Sequence, residues 1–175
     1  MIIFVGGVHA VGKTFVLKPV CESLGIRHTT ASQLIREQRG ASSWTNSRQV
    51  SDIDENQQAL ITAVQRLGNE GDRVVLDGHF VLRQSIGVHE KISLDTFKQL
   101  MVRGALVLEA PSAIIMTRLL QRNDATWDET EVEVFAQQER EHAEFVCQRL
   151  SVPLTRLSSP SETDVRAAIK NLLEE

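Results

Sequence analysis

The chain has 175 residues, 42% of them hydrophobic and 24% charged, which suits one α/β core and excludes disordered and collagen-like classes. A formal net charge of −4 argues against extensive nucleic-acid binding, which needs a basic excess, yet it leaves room for a local basic pocket around a phosphorylated small ligand. No apolar run reaches the ~18 residues of a membrane span, residues 1–6 carry neither the basic leader nor the cleavage site of a signal peptide, and Cys21 and Cys147 form no CxxC pair and read as packed thiols; a cytoplasmic location is the default expectation.

In chain order, Ile2, Ile3, Phe4 and Val5 form a short all-apolar run, as expected for a strand buried on both faces of a parallel sheet. A helix is expected from Lys13 to about Ser23, with Pro19 kinking it or ending it early and Gly25 as a stop. A second strand is expected over 28–30, followed by a helix opened by Ser32 and ended by Gly40. Residues 41–51 read as an exposed loop. Asp54 begins a helix whose Leu60, Ile61, Val64 and Leu67 recur at helical spacing, closed by Gly68 and Gly71. A third strand over 73–76 ends at Asp77-Gly78, and residues 80–92 suggest a hairpin around Ser85-Ile86-Gly87. Ser93 caps a short helix, a fourth strand covers 105–108, and Pro111 starts a helix to about Arg122. After a linker over 123–128, a long helix is expected over 129–150, with Val132, Phe135, Ala143, Val146 and Leu150 on one stripe. A fifth strand over 154–157 and a helix over 162–173 complete the chain. Strands alternating with helices imply a parallel sheet covered on both faces, a three-layer α/β sandwich. Ligands in such sheets bind beyond the carboxyl ends of the strands.

Residues 7–14 read Gly7-Val8-His9-Ala10-Val11-Gly12-Lys13-Thr14 and satisfy the P-loop pattern in full. The glycines let successive N–H groups curl toward a phosphate, and the helix that follows adds the partial positive charge of its N-terminus. Lys13 is expected to bridge the β- and γ-phosphates of ATP, and the Thr14 hydroxyl to bind Mg²⁺. The pattern follows an apolar strand and precedes Phe15-Val16-Leu17, the context that such a loop requires. His9, Ala10, Val11 and Phe15 are accordingly counted among the ATP-binding residues. Asp77, at the end of the third strand, is placed to reach the same Mg²⁺ directly or through water; capping the turn at Gly78 is the alternative. His79 faces the same rim, as a catalytic group or as a packed bystander.

Arg118 and Arg122 lie four residues apart, so both point from one face of their helix, where an anion such as a triphosphate would relieve their repulsion; solvated surface arginines are the alternative. Arg36, on the helix after the second strand, and Arg83, in the hairpin, could hold the phosphate of a second substrate or sit at the surface.

Four segments carry a family resemblance: residues 7–14; Thr30-Ala31-Ser32-Gln33-Leu34-Ile35-Arg36; Val75-Leu76-Asp77-Gly78; and Ala110-Pro111 through Arg118-Leu119-Leu120-Gln121-Arg122. In them the chain resembles the nucleoside monophosphate kinase-like group of P-loop proteins, of which adenylate kinase is the familiar member. The resemblance implies a five-stranded parallel sheet in order 2-3-1-4-5 within a single domain over 1–175. It implies phosphoryl transfer from ATP with Mg²⁺, Arg36 on the acceptor phosphate, Arg118 against the adenine ring and Arg122 on the transferred charge. A substrate loop near 36–52 and a short lid near 123–128 would border the cleft, each carrying one tryptophan, Trp44 and Trp127. The chain departs from adenylate kinases in reading His79-Phe80-Val81 after Asp77-Gly78, and in its shortened lid. The acceptor is a nucleotide or another small molecule on this reading. An ATP-dependent switch or slow ATPase acting on a partner protein is the alternative. A GTP switch lacks its Asn-Lys-x-Asp segment.

Overall fold

The structure, a computed structural model, describes residues 1–40, 53–69 and 71–174. Its elements are β1 (Ile2–Gly6), α1 (Lys13–Leu24), β2 (Arg27–Thr30), α2 (Ala31–Arg39), α3 (Ile53–Asn69), β3 (Val74–Asp77), β4 (Val81–Ser85), β5 (Val88–Lys91), α4 (Leu94–Gln99), β6 (Val102–Glu109), α5 (Ser112–Gln121), α6 (Glu129–Leu150), β7 (Leu154–Ser158) and α7 (Glu162–Glu174). Five strands form one sheet in the order β2-β3-β1-β6-β7, and β4 with β5 form a separate two-stranded hairpin. With the hairpin set aside, the sheet strands run 2-3-1-4-5 in chain order, all parallel.

The central strand explains its position. All five residues of β1 are buried, so both of its faces need cover. One face packs on a core holding Val16, Leu17, Val20, Phe135, Val165 and Ile169. The other packs on Leu60, Val64, Phe80, Phe97, Leu100 and Val146. Phe4 anchors this second layer, edge-on to Phe80 at 4.8 Å and to Phe97 at 5.2 Å between centroids, the preferred arrangement of aromatic pairs.

Several boundaries differ from those expected. Helix α1 runs through Pro19 to Leu24; burial of Val16, Leu17, Val20 and Cys21 outweighs the one backbone bond that proline removes. Gly25, at φ 64°, ends it in the left-handed conformation, its N–H directed to the carbonyls of Cys21 and Glu22. The cap of α2 is Thr30, whose hydroxyl accepts from Gln33 N, not Ser32. Strand β6 extends three residues further toward the N-terminus than the apolar run over 105–108, because parallel pairing with β1 begins at Val102. Residues 41–52, with Trp44 and most of the expected substrate loop, lie outside the described residues.

Candidate active site

β1 delivers residues 7–12 to the carboxyl edge of the sheet, and α1 begins at Lys13. Gly7 has φ +138°, and a Cβ there would stand 2.4 Å from the Leu108 carbonyl oxygen. Only glycine fits so close to the backbone of β6. Gly12, at φ +108°, turns the chain into the helix. Between them the loop curls around the position where a phosphate would face its N–H groups and the N-terminus of α1.

Lys13 is buried and donates to the Gly7 carbonyl oxygen at 2.7 Å. Its ammonium also lies 3.9 Å from Asp77 Oδ1. Burial lowers the Lys13 pKa, the carboxylates of Asp77 and Glu139 oppose that shift, and Arg122 adds to it. Thr14 donates its hydroxyl proton to Asp77 Oδ2 at 2.6 Å. Hydroxyl and carboxylate oxygens side by side at the mouth of the loop form a hard donor set that suits Mg²⁺, with phosphate oxygens and water completing the sphere. His28, on β2, stands 4.0 Å from Asp77 Oδ2, and its buried Nε2 makes no hydrogen bond among the described residues.

Two of the site's carboxylates come from α6 and were absent from the sequence-based candidates. Glu139 is fully buried and ties three segments together. It accepts from Gly7 N at 3.2 Å, from Phe80 N at 3.0 Å and from Val81 N at 3.2 Å, and it faces His79 Nδ1 at 3.2 Å. Burial raises its pKa, while Lys13 and the three N–H donors work in the other direction. Burial and then the Lys13 charge hold the His79 pKa well below its ordinary value, so the ring is neutral at neutral pH. Its ring lies 4.2 Å from that of His9 of the phosphate-binding loop, tilted by 31°.

Glu131, the second, holds Arg83. The Arg83 guanidinium donates to both Glu131 oxygens, at 2.8 Å from Nε and 2.7 Å from Nη2, and to the Thr126 hydroxyl and carbonyl. It also lies over the Trp127 ring, 3.9 Å from its centroid. Glu131 further accepts from Gly87 N at 2.8 Å and faces His89 Nε2 at 3.1 Å. Burial alone would raise the Glu131 pKa; the bonds from Arg83, Gly87 and His89 outweigh it and bring the carboxyl to about 2. Arg83 therefore differs from the expected acceptor-phosphate cation. It borders the cleft, but its donors are committed to a carboxylate and to residue 126, so it clamps the hairpin to the 123–128 segment. Trp127 is already buried, against Arg83, His9 and Phe135.

The two arginines of α5 separate. Arg118 donates from Nη1 to the Val11 carbonyl at 2.6 Å and approaches that of Ala10 at 3.4 Å, bracing the loop from outside. Arg122, at the helix end, lines the cavity. That cavity, about 480 Å³, begins at His9, Lys13, Thr14 and Asp77 and continues past Arg36 of α2 to side chains of α3 and α4. Phe15, directly after the loop, is 84% exposed at its rim.

The sequence pattern of the family described as AAA domain matches residues 6–135, the stretch that contains the phosphate-binding loop, Asp77 and both α5 arginines. The chain belongs to this family. No significant relative is found among curated proteins. Among solved structures, shikimate kinase from Acinetobacter baumannii in complex with shikimate matches at a TM-score of 0.63 and 14% identity, over 98% of this chain and 92% of that one. Shikimate kinase from Aquifex aeolicus matches at 0.59 and 12%, over 99% and 96%. A gluconokinase from Sinorhizobium meliloti matches at 0.53 and 17%, over 98% and 91%. At these identities the likeness establishes the fold, which together with the family match is consistent with a P-loop nucleoside monophosphate kinase-like protein. Among the described residues of this AAA-domain chain, no helix is long and apolar enough to cross a membrane, and no three His, Cys, Asp or Glu side chains form a metal-binding group.

Proposed function

We propose that the chain is an ATP-dependent kinase that moves the γ-phosphoryl group of ATP to a nucleotide or another small acceptor. The observation that carries this reading is the continuity of the cavity: one space joins the phosphate-binding loop to a pocket built by α2, α3 and α4. An ATP-driven switch has no need of that second compartment, whereas a transferase has to hold both substrates within reach.

The residues divide the work by position. The N–H groups of the loop and the N-terminus of α1 hold the phosphates. Lys13, bonded to the Gly7 carbonyl, is close enough to exchange that partner for phosphate oxygens. Arg122, at the cavity wall, supplies a second cation for charge that develops during transfer. Arg118 keeps the loop carbonyls turned outward, and any contact with adenine would be made from that position. Arg36 lines the acceptor side. Thr14 and Asp77 would hold Mg²⁺, which, when bound, neutralises phosphate charge. His79, held against Glu139, helps to close the wall of the site beside the loop. This chemistry requires positioning and charge in place of a covalent nucleophile.

Two substitutions test the reading. Lys13→Ala should weaken ATP binding tenfold or more, about 1.4 kcal/mol. Asp77→Asn should depress turnover far more than ATP affinity, because the metal acts mainly on the transition state. A folded Lys13→Ala protein with unchanged ATP affinity and turnover would defeat the proposal. Asp77→Asn with normal turnover and lower thermal stability would reduce Asp77 to a turn cap.

A further inference from the structure

One residue of the phosphate-binding loop is held in a disfavoured conformation. Ala10 has φ +60°, in the left-handed region that favours glycine. It is the third residue of a turn closed by Val11 N–H, which donates to the Val8 carbonyl oxygen at 3.3 Å, and turns with a positive φ at that place favour glycine or asparagine. Such a conformation persists only where its surroundings fix it. Arg118, from α5, donates from Nη1 to the Val11 carbonyl oxygen at 2.6 Å and reaches that of Ala10 at 3.4 Å. Among the described residues no carboxylate competes for this guanidinium. A Cβ on Gly12 would stand 3.4 Å from the same Nη1, so the cation sits directly on residues 10–12.

A peptide unit is planar and trans, so its C=O and N–H point in opposite directions. With the Val11 carbonyl fixed on Arg118, the Gly12 N–H turns to the other side, toward the cavity that Val11, Gly12 and Lys13 line. We propose that Arg118 is a positioning residue for the donor phosphates. It holds the Val11–Gly12 peptide with its N–H aimed at a phosphate oxygen, and it keeps the strained turn at Ala10 from relaxing. The bond is charge-assisted and therefore stronger than a neutral one. The N–H is oriented before the nucleotide arrives, so less ordering is needed on binding. An arginine stacked on adenine would act through the base, whereas this one acts on the phosphates through the loop, whatever base they carry. The role rests on the reading of the loop as a nucleotide-phosphate site.

The test is equilibrium binding of two ligands to the whole chain with Mg²⁺: ATP, and inorganic tripolyphosphate, which has the phosphates without the base. Arg118→Met keeps an apolar stem and removes the donors. It should weaken both ligands about tenfold, the weight of one hydrogen bond to a charged group, and by factors that agree within about twofold. Arg118→Lys retains a cationic donor and should recover part of the loss. In an Ala10→Gly background the turn is no longer strained, so Arg118→Met should weaken binding distinctly less than it does with Ala10 present; that coupling marks action through the loop. Urea unfolding of each variant separates binding from folding, since a side chain that only stabilised α5 would lower the unfolding midpoint and leave the affinities of the folded protein unchanged. The inference is overturned if Arg118→Met weakens ATP but not tripolyphosphate, which would place the guanidinium on adenine. It is also overturned if the wild type binds ATP but not tripolyphosphate, if both affinities stay unchanged, or if the loss is the same in the Ala10→Gly background. Should Arg118→Met fail to fold, Arg118→Lys carries the same comparisons in both backgrounds. Phosphoryl transfer is scored separately. Phosphates bound through an Arg118-dependent loop yet never transferred keep this inference and defeat the kinase reading; transfer with affinities that Arg118→Met leaves unchanged does the reverse.

Discussion

Glu139→Gln isolates the buried carboxylate on which the phosphate-binding loop rests. The side chain is fully buried and surrounded by donors: the N–H groups of Gly7, Phe80 and Val81, with His79 alongside. The three N–H donors and the Lys13 charge favour the ionised form, while burial, the largest effect, raises the carboxyl pKa against them. Glutamine keeps the volume and one carbonyl oxygen, which still serves Phe80 and Val81. Its NH₂ then opposes the Gly7 N–H, and one buried donor loses its partner. Leaving such a donor unpaired costs ~1–3 kcal/mol, a sizeable share of a domain stability of roughly 5–15 kcal/mol. The loss falls on Gly7, whose carbonyl also receives Lys13, so ATP affinity should fall together with stability. Urea unfolding gives the stability change, and titration with ATP and Mg²⁺ gives the affinity. A Gln variant that matches the wild type in both would show that Glu139 is protonated in the native state, or that it does not position the loop.

Acid should release the clamp between the hairpin and the 123–128 segment. The Glu131 carboxyl falls from 4.5 to about 2 on folding; a depressed carboxyl stabilises above its unfolded pKa and loses that contribution as pH falls through its folded one, here from about 4.5 down to about 2. The shift corresponds to ~3 kcal/mol, and acid unfolding of wild type against Glu131→Gln should differ across that window and run parallel below it. Trp127 is already buried, so a Trp44→Phe variant should emit as a protected indole and stay unchanged on adding ATP and Mg²⁺; an emission shift on binding would show that the 123–128 segment rearranges.

The phosphate-binding loop was legible because its chemistry is local. Glycines, lysine and threonine stand at fixed offsets between an apolar strand and an amphipathic helix, and each part confirms the others. Asp77 followed from its place at a strand end, and the hairpin from Gly87, which takes φ +70°. The carboxylates of α6 were not legible in the same way. Glu139 bonds to a residue 132 positions away, and Glu131 to one 48 positions away, so nothing in the local pattern names the partner. One signal was available for Glu139: it falls on the buried stripe of Val132, Phe135, Ala143 and Val146, where a charge is unfavourable unless paired. Arg83 was misread for the matching reason, since a hairpin arginine reads as a free cation until the helix that carries its carboxylate is packed beside it. Pro19 marks the limit of propensity, because one lost backbone bond yields to a buried helix face.

The central claim is transfer of the γ-phosphoryl group, and following that group tests it most directly. The wild-type chain is incubated with γ-labelled ATP, Mg²⁺ and each member of a panel of nucleoside monophosphates and small hydroxylated acids, with Lys13→Ala as the control. The account predicts that one class of acceptor accelerates ADP formation at least tenfold over ATP alone, that the label appears on that acceptor in equal amount, and that Lys13→Ala loses the acceleration. Label released only as inorganic phosphate, at a rate no acceptor changes, would contradict the account and leave an ATPase or switch in its place.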